Sequence, residues 1–350
     1  MRLRLVSGLI LSVVAGACGG TPATSSAGAG GNSAASTSTS TGPSSGSSNT
    51  MGEAFSVTFD PLTIEPGEES TRCVVKRLTN ETAVHIGNIH NVLSDPSHHL
   101  IVYRVADTVE QPTAFKCQPF ADLLKPESGT PLMISQKHDD TLALPKGISF
   151  DFEAGQMIRL EMHYINTTQA PREASATATF YAMPAADVTA AADFLFVGNP
   201  DIEVAPKSKA TLGPSFMPVP AALADVNYFG VTGHTHHFGT NVNVATATDK
   251  DAAGTPVYDV ADWQWSEPAT VYHDPPFTVP EGGGFQFTCE WNNTSDKAVT
   301  FGESATQEMC FFWTYYYPSQ GSYLCVHSDQ VAGGVNVCCP GNPLCGQIFQ

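Results

Sequence analysis

The stretch Ile158-Arg159-Leu160-Glu161-Met162-His163-Tyr164 decides the fold class. Its side chains alternate with a period of two, as on a half-buried strand. Ile158, Leu160, Met162 and Tyr164 share a buried face, and Arg159, Glu161 and His163 take the wetter one. Outward from it, residues 100–103, 176–181, 241–247 and 285–291 are further strand-like runs, set apart by Pro, Gly, Asn and Asp turns. No stretch sustains a long apolar helical period, and residues 120–124 suggest at most a helical turn. The chain therefore reads as all-β, built as antiparallel β-sandwich.

Length and composition set the limits. The 350 residues suffice for two domains. Acidic residues outnumber basic ones by 34 to 16, a net charge of −18, so nucleic acid and anionic lipid surfaces are excluded as partners. Arg2 and Arg4, an apolar run over 5–14 and the small residues Ala15-Gly16-Ala17 before Cys18 form a lipoprotein-type signal peptide over 1–17. Cys18 is then the lipidation site, in a lipobox with Ala15 where leucine is usual, and an ordinary secretory leader is the alternative. Residues 18–52, rich in Gly, Ser, Thr and Ala, form a disordered linker. These features place the protein at a bacterial cell envelope, held to the membrane by its lipid anchor alone. The Ala/Pro-rich stretch 182–192 divides the folded part into an N-terminal domain, 53–186, and a C-terminal domain, 187–318, with a Cys-rich extension over 319–350. Of the nine cysteines, the eight beyond Cys18 are an even number, fitting disulfides in an oxidising compartment.

Four segments carry candidate chemistry. His98-His99 opens a strand, where neighbouring side chains point to opposite faces; both could grip one metal only if the backbone bulges there. His163 either completes a three-histidine site with them or is an exposed strand histidine. In Gly233-His234-Thr235-His236-His237-Phe238-Gly239, His234 and His236 share a strand face and offer two imidazoles to Zn or Cu, while His237 points away. In the aromatic run Glu308 to Pro318, period two puts Met309, Phe311, Trp313 and Tyr315 on one face and Cys310 on the other, where a disulfide would be buried. Met309 is either core filler or a soft ligand suited to copper.

These pieces, in this order, resemble the copper type II ascorbate-dependent monooxygenases, over roughly 55–318. The resemblance implies two jelly-roll-like sandwich domains side by side, each with one copper, facing each other across a cleft. It implies that His98, His99 and His163 hold the electron-transfer copper. His234, His236 and Met309 would hold the oxygen-binding copper and form the catalytic group. It also implies disulfides Cys73–Cys117 and Cys289–Cys310, and ascorbate or a similar reductant as co-substrate. The function implied is hydroxylation of a C–H bond of a small molecule with O2.

The sequence also departs from that family. Thr232 stands where its peptide-amidating members carry an arginine for a substrate carboxylate, and Phe311 and Trp313 replace an Asn and a Tyr. Without that arginine a carboxylate loses its bidentate partner. Thr232, Phe311 and Trp313, with Tyr315, suggest a pocket for an apolar or aromatic substrate; the other reading is that the rings fill the core. Glu161 either orients His163 or is solvated. The rival function is a non-catalytic copper-binding or copper-handling lipoprotein on the same scaffold.

Overall fold

The computed structural model describes residues 52–117, 129–302, 304, 306–330, 334–342 and 345. The expected leader, Cys18, the linker up to residue 51 and the helical turn at 120–124 lie outside the described residues. The described residues form one compact unit. The described residues hold strands and two single-turn 3-10 segments, Ala185–Asp187 and Ala221–Leu223. None of their helices is long and apolar enough to cross a membrane.

The all-β expectation holds, and each run singled out in the sequence falls within a strand. Two sheets form the first half. One runs Ala54–Ile64, Arg172–Met183, Val84–Leu93, Ile148–Phe152, Ala190–Ala191, with Asp139–Ala143 also paired to Val84–Leu93. The other runs Gln111–Lys116, Glu69–Arg77, Met157–Ile165, Ser97–Val105, Gly129–Ser135. They share one core, with Phe59, Ile89 and Phe180 from the first and Val74, Val102 and Leu160 from the second. The second half is built likewise. A six-stranded sheet runs Val271–Phe277, Asn227–His234, Phe311–Tyr317, Asp193–Gly198, Tyr323–Ser328, Val335–Cys339. A four-stranded sheet runs Ser208–Pro218, Gly284–Asn293, Gly239–Ala247, Thr255–Asp259. The strand sets change over at Ala192, because Ala190–Ala191 still pairs, in parallel, with Ile148–Phe152.

Two strands of the tail past Pro318 join the six-stranded sheet. Tyr323–Ser328 pairs in parallel with Asp193–Gly198, and Val335–Cys339 closes that sheet. The pairings Cys73–Cys117 and Cys289–Cys310 are as expected, and the tail cysteines pair as Cys325–Cys338 and Cys339–Cys345.

The aromatic strand Phe311–Tyr317 has a structural cause. It sits inside its sheet, and six of its seven residues are buried. Met309, Phe311, Trp313 and Tyr315 join the core that runs into the first half, together with Phe194, Phe196 and Phe229. Cys310, Phe312 and Tyr316 join the core of the second half. A strand covered on both faces favours apolar and aromatic side chains, and here Thr314 is the one aliphatic polar residue. Phe312 packs its ring between Phe285 and Phe287 of the facing sheet, 5.3 and 5.5 Å away by ring centroids. Phe312→Ala is expected to cost about 3–5 kcal/mol in denaturant unfolding.

Candidate metal centres

The first centre is made by a bulge. Ser97–Val105 runs antiparallel to Met157–Ile165, with Ser97 opposite Tyr164 and His99 opposite His163; the register slips between Ser97 and His99. His98 is the surplus residue, and the irregular backbone lets both neighbours point to one side. The ring centroids of His98, His99 and His163 lie 5.0–5.5 Å apart. One ring nitrogen from each lies within 4.8 Å of the other two.

Glu69 orients the third histidine. It lies on the strand paired to the other edge of Met157–Ile165, with Thr71 opposite His163. Its Oε1 is 3.2 Å from His163 Nε2. A carboxylate can only accept, so Nε2 carries the hydrogen and Nδ1 is the nitrogen left for a metal. The carboxylate expected for this role, Glu161, is buried and accepts from the Tyr103 hydroxyl at 3.3 Å. Glu69→Gln is expected to weaken metal binding at this centre about 10–100-fold, read by competition with a chelator.

The second centre lies where a strand ends. Asn227–His234 stops at His234, and residues 235–238 turn, with Gly239 N–H donating to the His236 carbonyl at 3.0 Å. His234 and His236 are therefore not alternate residues of one strand, as the sequence suggested. The turn still brings their rings to 5.1 Å. It needs Gly239, because a Cβ there would collide with the Thr235 side chain. Gly233 is also close-packed, since its Cβ would meet Val242 and Tyr258 within 2.8 Å. His237 is exposed and sets its ring edge against Trp265, at 5.3 Å.

Glu308 holds the turn together. Its carboxylate accepts the backbone N–H groups of His236 at 2.8 Å and Phe238 at 2.7 Å, and the Trp291 indole N–H at 2.8 Å. The Met309 backbone N–H also reaches it. One side chain thus ties the His236 turn to the segment carrying Met309. Burial lifts the Glu308 carboxyl to about 7, while these donors pull it down. Met309 itself is buried.

Hydrogen bonds select the free nitrogens here too. His236 Nδ1 lies 3.1 Å from the Gln307 carbonyl, so Nδ1 carries the hydrogen. His234 Nδ1 lies 3.0 Å from Gln136 Oε1, which assigns it the hydrogen likewise. His234 Nε2 is buried with no hydrogen-bond partner among the described residues. A bare acceptor of this kind is costly, and a metal ion would satisfy it.

Burial holds all five rings neutral. It lowers His98 to about 3, with His163 and His236 nearby adding to the effect. It lowers His236 to about 4, against the pull of the Gln307 carbonyl, and takes His99 and His234 well below 6.5. It also lowers His163, although Glu69 opposes this. Neutral imidazoles are what a metal requires. The unfolded chain binds protons at these groups near pH 6.5 and the folded chain does not, so stability rises with pH through that window. The metal-free protein is therefore expected to melt at progressively lower temperature as pH falls from about 6.5, and bound metal should oppose this, in thermal scans at pH 7 and pH 5. An all-imidazole donor set such as His98, His99 and His163 suits copper or zinc and disfavours calcium or magnesium.

The residues expected in a substrate pocket are buried. Thr232 is bonded through its hydroxyl to Thr270 at 2.7 Å and lies opposite Trp313 in the ladder. Phe311 and Trp313 are stacked on Phe196. Glu69, Gln136, Trp265 and Glu308 went unassigned in the sequence. Of these only Glu308 had a local signal, a carboxylate placed just before Met309 in an apolar run.

Residues 210–332 match the family described as copper type II ascorbate-dependent monooxygenase, C-terminal domain. Among solved structures, the tail fiber protein gp63.1 from an E. coli phage is 8% identical over 77% of this chain and 40% of its own, with a TM-score of 0.18. The chain thus spans about 40% of that protein. A complex of the plant peptide RALF23 with FER and LLG2 is 8% identical over 76% of this chain and 90% of the other, with a TM-score of 0.21. Likenesses this loose carry no structural argument.

Proposed function

We propose, from the match of residues 210–332 to the C-terminal domain family of copper type II ascorbate-dependent monooxygenases, that this protein is a two-copper monooxygenase hydroxylating a C–H bond of a small molecule. One observation supports the reading: the histidines outside the matched segment, His98, His99 and His163, converge into a group that could hold a metal ion. A C-terminal family domain beside such a cluster is what a two-centre enzyme needs.

His98, His99 and His163 would hold the electron-transfer copper, and His234, His236 and Met309 the copper that meets oxygen. When bound, copper supplies one-electron redox chemistry, with ascorbate as donor and O2 as oxidant. The chain's own contribution is to keep the ligands neutral and aimed. Glu69, Gln307 and Gln136 hold the far nitrogens of His163, His236 and His234. Glu308 fixes the turn between them. On the sequence reading, acylated Cys18 tethers this body to the cell envelope; Cys18→Ser should release the protein from the membrane fraction.

The test is to load the purified protein with copper and follow ascorbate-dependent O2 uptake across aromatic amines and other small apolar substrates. Uptake that requires both a substrate and two bound coppers supports the proposal. Two coppers with no uptake on any substrate would favour the second reading, a copper-handling protein. The burial of Thr232, Phe311 and Trp313 speaks for that reading, since it leaves the expected pocket filled.

A further inference from the structure

Gln136 belongs to the first half of the molecule, yet its side chain serves the second. It follows directly on the strand Gly129–Ser135, where Ser135 lies opposite Leu100. The same two-stranded ladder therefore begins with His98 and His99 on one strand and ends at Gln136 on the other. The side chain is buried, with 7% of the residue exposed. Both ends of its amide are used: Oε1 faces His234 Nδ1 at 3.0 Å, and Nε2 donates to the Trp265 carbonyl at 3.5 Å. The Trp265 ring in turn lies 5.7 Å from His98 and 5.3 Å from His237.

Resting on the two-copper reading, we propose that Gln136 is the positioning residue of the second centre, fixing the His234 tautomer so that Nε2 faces the metal and tying that centre to the ladder that carries the first.

The choice of residue type follows. His234 is deeply buried and neutral, so it can exist in two tautomers that differ in which nitrogen has the lone pair. Its strand ends at His234, and the ladder there pairs it with Phe311, which offers no side-chain acceptor. Without an acceptor at Nδ1 the ring is free to turn or to switch tautomer, and either change points an N–H at the metal. Gln136 Oε1 supplies the acceptor. Its Nε2, donating to the Trp265 carbonyl, keeps the amide from flipping, because a flipped amide would set Oε1 against that carbonyl, two acceptors together. A neutral amide also leaves the imidazole a neutral ligand, whereas a carboxylate would raise its basicity.

The experiment compares wild type, Gln136→Met and Gln136→Glu, in two readouts. In metal-free protein labelled with 15N-histidine, NMR couplings report the tautomer of each ring. The wild type should show His234 with its hydrogen on Nδ1; Gln136→Met should lose that preference, and Gln136→Glu should keep it. In copper-loaded protein, competition with a chelator gives the affinity of each centre. Gln136→Met should weaken the second centre about 10–100-fold and leave the first within about twofold, and Gln136→Glu should restore the second. Restoration by Glu separates positioning from packing, since Met and Glu fill the site alike. Unchanged His234 tautomer in Gln136→Met, or equal weakening in Met and Glu, would overturn the proposal. Wild type that binds no second copper while showing the expected tautomers would count against the two-copper reading and leave the Gln136–His234 pairing supported.

Discussion

His163→Ala will leave the protein folded, take its bound copper from two to one, and reduce ascorbate-dependent O2 uptake to background. The first centre has three nitrogen donors within 4.8 Å of one another, and His163 is the one brought in from a separate strand. Removing it leaves His98 and His99 as the two remaining donors of that group. Loss of an orienting contact alone weakens a metal about 10–100-fold, so loss of a donor should exceed that. The fold should survive, because the strand Met157–Ile165 keeps both of its ladders and its buried Leu160, Met162 and Tyr164. The companion change, Met309→Ala, should leave the first copper in place and abolish turnover. Copper analysis with circular dichroism checks both, and retained uptake in either variant would refute the roles assigned.

Glu308→Ala should be strongly destabilising, on the order of 4 kcal/mol by denaturant unfolding. Each buried donor left bare costs about 1–3 kcal/mol, and this carboxylate serves the N–H groups of His236, Phe238 and Trp291. Water entering the void recovers part of the loss. The same change should loosen the His236 turn, so copper at the second centre should weaken while the first is spared. Glu308→Gln keeps the shape but turns an NH2 toward a donor, and should fall between the two.

Much of this was legible in the sequence because strand physics is local. Alternation over 158–164 identified a strand, and it placed Met309, Phe311, Trp313 and Tyr315 on a face apart from Cys310. A bulge at His98-His99 was demanded by the need for both rings to meet one ion. Where the reading failed, long-range pairing decided. Thr235 to Phe238 turn where a strand was expected, because a buried carboxylate 70–72 residues away replaces the ladder. Glu69 takes the role suggested for Glu161, because it lies on the neighbouring strand two residues from the one opposite His163, a neighbour no local pattern reveals. The tail strands join an existing sheet in parallel, a connection that turn-rich sequence does not announce. Gln136 sits in Ser135-Gln136-Lys137, a run with no motif, and gains its role only when the two halves meet.

The most direct test is a copper-soaked crystal measured on both sides of the copper absorption edge. The account predicts two anomalous peaks, one enclosed by His98, His99 and His163, the other bonded to Nε2 of His234 and His236 and to the Met309 sulfur. A single peak, or a second peak with the Met309 sulfur turned away, would contradict it.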